Sequence, residues 1–424
     1  MVKIPISKRN VFPWRLGHVC SRWRNVALSQ RRLWNYVYFE CNPKKHTVMP
    51  EALEEAISRS GLGQLTFRIS YSSNIIGDQD IVPDLIARYA HRCREIQFMF
   101  PAQQMKAFLE NDSISFGSLE AAALMIMASG FPILPPNYPF LQGARVFDSV
   151  STLRKFTLYG LFSLPLNDTR LHWGQLTHVD FANRFIVPSI AQDLFVVCRN
   201  LESCRLDLTF RNDEAWVHSG STAHAVGEII LPNLRHLELK CRNPNDPSDI
   251  IRSLTLPVLA IFIQQFESDE FVVEESLGPL ISLIRRSRCQ LTHLESTRYL
   301  MGRDVTNLPD TGMETLVELL PSLTTFLGFG FMVPASVLQR MRSGELLPSI
   351  ASFKCSFNTI AACALLVDIV EARWLNEASG GAVLEEVYAH NCIPEGLLNA
   401  VEKERIRVHE IKKRLKKEHR MVDV

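Results

Sequence analysis

The sequence predicts an α/β fold in which short parallel strands alternate with outer helices along a solenoid. Three observations carry this expectation. A short apolar motif keeps returning along the chain, segments of helical spacing lie between its copies, and the signature of a compact doubly wound domain is missing. At 424 residues the chain also exceeds the usual single-domain size, which suits an elongated array or a pair of domains.

The motif is an apolar residue, two variable residues, a second apolar residue, one variable residue and a third apolar one. Clear copies begin at Leu153 (LRKFTL), Leu176 (LTHVDF), Leu201 (LESCRL), Leu234 (LRHLEL) and Leu256 (LPVLAI). They continue at Leu291, Leu323, Ile350 and Leu384, and weaker early copies start at Leu62, Cys93 and Leu119. Successive clear copies lie roughly 22 to 35 residues apart, overlapping and exceeding the period of leucine-rich repeats. The expected fold is therefore an irregular leucine-rich-repeat solenoid over residues 50–395, with parallel strands on the concave side and helices outside.

Helical spacing between the copies supports it. Leu194, Val197 and Cys198 follow an i, i+3, i+4 rule, as do Leu277, Leu280, Ile281 and Ile284 before a pair of arginines. Met313, Leu316, Val317 and Leu320 predict another helix, stopped near Pro321, and Leu365 to Trp374 predict one more. A doubly wound domain would carry longer Val/Ile-rich strands and a glycine-rich first turn, and neither is found.

Side chains alternate along a strand, so the residues flanking the middle apolar position share the inner face. Reading these pairs down the array gives Lys155 and Thr157, His178 and Asp180, Ser203 and Arg205, His236 and Glu238, then Val258 and Ala260, His293 and Glu295. The histidine-x-acid pairs admit a metal or proton-transfer reading, but Val258 and Ala260 separate two of them in chain order. A contact surface for a protein substrate, at His178, Asp180, Arg205, His236, Glu238, His293 and Glu295, is the expected role.

Other chemistries lack their motifs. The 46 basic and 45 acidic residues nearly cancel, so no bulk attraction to nucleic acid is implied. No phosphate-binding loop, no His-Glu-x-x-His pair and no Gly-x-Ser-x-Gly elbow occurs. HSGSTAH, residues 218–224, reads as a loop between units. The ten cysteines contain no Cys-x-x-Cys, and several replace a leucine of the motif, which predicts buried reduced thiols and a cytoplasmic or nuclear protein. The uncharged stretch from Ala121 to Ala144 is broken by Gly130 and several prolines, so no membrane span is expected. Residues 396–424 predict a charged, amphipathic C-terminal helix or tail. No catalytic residue, metal or cofactor is expected.

The N-terminal stretch LGHVCSRWRNVALSQRRLW holds two tryptophans among arginines. Leu16, Val19, Cys20, Trp23 and Val26 fall on one helical stripe, with Arg22 and Arg24 displaced from it. A single-stranded nucleic-acid platform would expose its rings beside the basic groups. The spacing favours protein docking or core packing instead.

This stretch resembles the second half of an F-box: a leucine, Val-Cys-x-x-Trp, a small apolar step, then Leu-Trp. Here those are Leu16, Val19, Cys20, Trp23, Ala27, Leu33 and Trp34. Downstream, LHWGQLTHVDF, LIRRSRCQLTHLES and LLPSLTTF are similar to phrases of leucine-rich-repeat F-box proteins abundant in mushroom-forming fungi. The resemblance runs from Phe12 to about Tyr388 and assigns residues 12–40 to a short helical F-box remnant. It implies a substrate-recognition subunit of an SCF-type (cullin-RING) ubiquitin ligase. Leu16, Val19, Cys20, Trp23, Leu33 and Trp34 would contact a Skp-type adaptor, the cullin would join through it, and the repeats would hold the substrate. The Leu-Pro-x-Glu helix that opens the F-box has no counterpart in MVKIPISKRNVFPWR. The alternative expectation is a non-ubiquitin interaction scaffold whose F-box remnant only caps the solenoid.

Overall fold

The computed structural model describes residues 19–41, 49–71, 82–127, 143–160, 166, 171–208, 227–241, 247–266, 277–298, 312–357, 360–375, 382, 384 and 386–391. The chain divides into two units, Met1–His224 and Ala225–Val424, both mixed α/β.

In the first unit, α1 (Ser21–Ser29) and a 3-10 turn (Arg31–Trp34) lead into β1 (Tyr36–Cys41). Then come α2 (Met49–Arg59), β2 (Leu65–Tyr71), α3 (Val82–Tyr89), β3 (Cys93–Pro101), α4 (Ala102–Leu109) and β4 (Ala121–Met127). β5 (Lys155–Tyr159), β6 (His178–Ile186), α5 (Pro188–Val197) and β7 (Ser203–Leu208) complete it. Strands β1 to β7 stand in chain order, each parallel to the next.

The second unit begins with β8 (Ile229–Ile230), β9 (His236–Cys241), α6 (Ser248–Ser253) and β10 (Leu254–Thr255). It continues with β11 (Ile261–Phe266), α7 (Gly278–Ser287), β12 (His293–Arg298), α8 (Met313–Glu318), β13 (Thr325–Met332), α9 (Ala335–Arg342), β14 (Ser352–Phe357), α10 (Ile360–Leu375) and β15 (Glu386–Asn391). β9 and β11 to β15 form a parallel sheet in chain order, while β8 and β10 make a small separate pair. The helices expected before Pro321 and around residues 365–374 are α8 and α10.

Parallel sheets are usually covered on both faces and read as continuous apolar runs. Here burial alternates along β9 and β11, so one face is sealed and the other stays open. The sealed positions are those of the motif. Leu153, Phe156 and Leu158, or Leu234, Leu237 and Leu239, are buried in each copy. In the first unit the sealed face is aromatic: the Phe98 ring of β3 meets Phe108 of α4 edge-on at 5.0 Å, and Phe156 packs edge-on against Phe181 and Trp173. Such edge-to-face pairs let opposite ring charges meet.

Three details of the motif differ from the sequence reading. The copy placed at Leu256 lies three residues too early. β11 starts at Ile261 and aligns Leu259, Phe262 and Gln264 with Leu234, Leu237 and Leu239. The backbone confirms this register: the carbonyls of Arg235, Ala260 and Thr292 each accept two successive N–H groups from the next strand. Ala260 therefore precedes the strand, and the open-face pair of this copy is Ile261 and Ile263. Secondly, strand pairing begins before residue 50. Trp34, Val37 and Phe39 are buried at the three motif positions of β1, within the segment assigned to the helical remnant. Thirdly, the copy placed at Leu62 lies two residues too early: β2 pairs Phe67 and Ile69 with Val37 and Phe39 of β1 and with Ile96 and Phe98 of β3, and Leu62 is 94% exposed.

Arginines tie consecutive helices together. Helix C-termini leave carbonyls without intrahelical donors. Arg92 donates to Gly63 O at 2.9 Å and to Ser60 Oγ at 2.6 Å just after α2. Arg286 of α7 donates to Ile251 O at 3.1 Å and Leu254 O at 3.0 Å at the end of α6. Arg373 of α10 reaches Met341 O, Leu346 O and Leu347 O after α9, at 3.2, 3.3 and 3.0 Å.

Candidate protein-docking surfaces

Two kinds of surface offer themselves, α1 and the open sheet face of each unit. α1 is nine residues long, with Cys20 at its N-cap in extended conformation, and among its residues Ala27 is the buried one. Trp23 is 51% exposed, Val19 just before the helix 65%, and Val26 43%. Trp23 and Val26 follow i, i+3 spacing and so share one face of α1, while Val19 precedes the extended N-cap and lies off the helix, so the five-residue stripe expected from the sequence is cut to these two. Burying a Trp side chain is worth several kcal/mol, so such a stripe favours a partner that covers it. Arg22, Arg31 and Arg32 are exposed around it.

Trp34 is different. It is 2% exposed, its Nε1 donates to the Ala27 carbonyl at 2.8 Å, and the Arg59 guanidinium lies over its ring at 4.8 Å. This tryptophan fastens α1 to the first strand, so the sequence expectation that it meets an adaptor is replaced by a packing role. Leu33 is half-buried, Cys20 is exposed, and Leu16 lies outside the described residues.

On the open face of the first unit, register sets Lys155, His178 and Ser203 in one row and Thr157, Asp180 and Arg205 in the next. Tyr159 Oη donates to Asp180 Oδ2 at 2.8 Å, while Arg205 is exposed beside it. Thr177 Oγ1 lies 2.9 Å from His178 Nδ1. Partial burial lowers the His178 pKa and the Lys155 charge adds to this, against the pull of Glu202. The imidazole is therefore neutral at neutral pH.

On the open face of the second unit, the corrected register brings together what the sequence had kept apart. Ile261 pairs with His236 on one side and His293 on the other, and Ile263 likewise stands between Glu238 and Glu295. Gln265 donates to Glu295 Oε1 at 2.8 Å. Burial is the main cause lowering the His293 pKa, with Glu295 opposing it and His236 reinforcing it.

Among the described residues no cluster of three His, Cys, Asp or Glu side chains is placed to hold a metal ion. Cys93, Cys198, Cys204, Cys241, Cys289 and Cys355 are buried. Burial pushes Cys93 and Cys198 up to about 12, which leaves their thiolates unpopulated and the groups inert. Residues 218–224 and 396–424 lie outside the described residues. Among the described residues no helix is long and apolar enough to cross a membrane.

The role of Ile261 and Ile263 was hidden in the sequence, because the overlapping copy LPVLAI fits the motif better than LAIFIQ, which carries Gln264 at the third position. The apolar run Ile261-Phe262-Ile263 gives no alternation in the sequence, and only the burial along β11 does. No protein-family model and no curated protein matches the chain.

Proposed function

We propose that the parallel array is of the leucine-rich-repeat kind and that the chain is the substrate-recognition subunit of an SCF-type (cullin-RING) ubiquitin ligase. In this reading α1 docks on a Skp-type adaptor and the open sheet faces hold a protein substrate inside the cell. The protein catalyses nothing itself; it raises the effective concentration of substrate beside the ubiquitin-charged enzyme. The carrying observation is α1, whose Trp23 and Val26 are open, with Val19 exposed just before it, while Ala27 and Trp34 hold it to β1. Interfaces centre on such aromatic anchors with polar groups at the rim, here Arg22, Arg31 and Arg32.

The Trp34 hydrogen bond to Ala27 also favours a second reading, an interaction scaffold outside ubiquitination in which α1 caps the array. Co-expression with a Skp-type adaptor separates the two. The receptor reading expects a stable complex that Trp23→Ala disrupts. Absence of adaptor binding, even with an N-terminally extended chain, favours the scaffold.

A further inference from the structure

Resting on the proposed role of the sheet faces in holding a protein, the chemistry of one face narrows what is held. β9, β11 and β12 place Ile261 and Ile263 as a two-residue apolar floor, walled by His236 and Glu238 on one side and His293 and Glu295 on the other. Neighbouring strands are about 4.8 Å apart, so the two glutamates stand about 10 Å apart across Ile263. We infer that this face binds a polypeptide segment carrying an arginine or lysine next to an aliphatic residue.

Charge complementarity decides for a basic side chain. The alkyl stem lies on Ile263, and the cationic head meets the two carboxylates, as long basic side chains do at apolar surfaces. The aliphatic neighbour covers Ile261 between the two imidazoles. Lys240 follows Glu238 on β9, and Lys354 lies at the far end of the same row, beyond Leu327. The acidic and lysine side chains of this face on β9, β11 and β12 are Glu238 and Glu295 against Lys240, a balance that favours a cation. An acidic segment would have to set its carboxylate between two others.

Random peptides displayed on phage and selected on the full chain test this. The expected enrichment is arginine or lysine beside leucine, isoleucine or valine. A selected peptide, followed by fluorescence anisotropy, should bind at least about tenfold more weakly to the Glu238→Gln, Glu295→Gln double variant, because charged hydrogen bonds are lost. These isosteric changes leave the strands intact, and an unchanged thermal melt verifies it. Enrichment of acidic peptides, no enrichment, or binding indifferent to the double variant would overturn the inference. Peptides that ignore the glutamates but are lost with Arg205→Ala overturn it while leaving the receptor reading in place. Failure of adaptor binding, by contrast, removes the receptor reading and leaves this site standing.

Discussion

Helices α1 and α7 are nearly equal in length and carry similar apolar spacing, yet they meet opposite fates. α7 buries Leu280, Ile281, Leu283 and Ile284, and its Arg286 clamps the end of α6. α1 buries Ala27 and leaves Val26 and Trp23 open. Periodicity alone therefore does not distinguish a helix that buries its apolar face from one that leaves it open. The difference lies in what stands opposite: α6 and β10 for α7, and the anchor through Trp34 for α1.

The sharpest way to break this comparison is at the anchor. Trp34→Ala removes a buried ring and its hydrogen bond, with an expected loss of about 3–5 kcal/mol in urea denaturation. Leu283→Ala in α7 should cost about 2–5 kcal/mol by the same measurement. If either change proves neutral, the division between packing and open residues is wrong at that site.

A smaller effect is expected at the clamp. Arg286→Ala removes the side-chain donor from the Ile251 and Leu254 carbonyls, the first of which keeps the Leu254 N–H, and should lower stability by about 1–3 kcal/mol. Hydrogen exchange should rise at the α6 end and not in α9, because each clamp serves its own junction.

The sequence made the strand motif legible because its buried positions recur with few substitutions, and cysteine replaces leucine without loss of burial at Cys93, Cys204 and Cys355. Alternation also put His178, Asp180, His236, Glu238, His293 and Glu295 on the open faces. The Leu256 copy was misread because Leu256 and Leu259 are both buried, and only backbone pairing chooses between them. Gln264, polar yet buried at the third position, hid the true copy. β1 was missed because Trp34 serves two patterns at once: the Leu-Trp of the N-terminal stretch and the first motif position. Only burial shows which use prevails.

Titration gives the smallest expected change. His178 and His293 have lowered pKa values in the folded chain, so the unfolded chain binds their protons more readily. Stability should be level above the ordinary histidine pKa of about 6.5 and should fall as pH drops below it. His293→Gln should flatten the midpoint-against-pH curve between about pH 7 and 5. A steeper slope in this variant would contradict the direction of the shift.

The most direct measurement sets Trp23→Ala against the parent chain in paired assays, thermal melting and co-purification with a Skp-type adaptor. An open side chain contributes little to folding, so the melt should be unchanged to within about 0.5 kcal/mol. An interface anchor contributes much to binding, so adaptor affinity should drop by about 2 kcal/mol or more. A lowered melting point with adaptor binding retained would contradict the account and make α1 a cap.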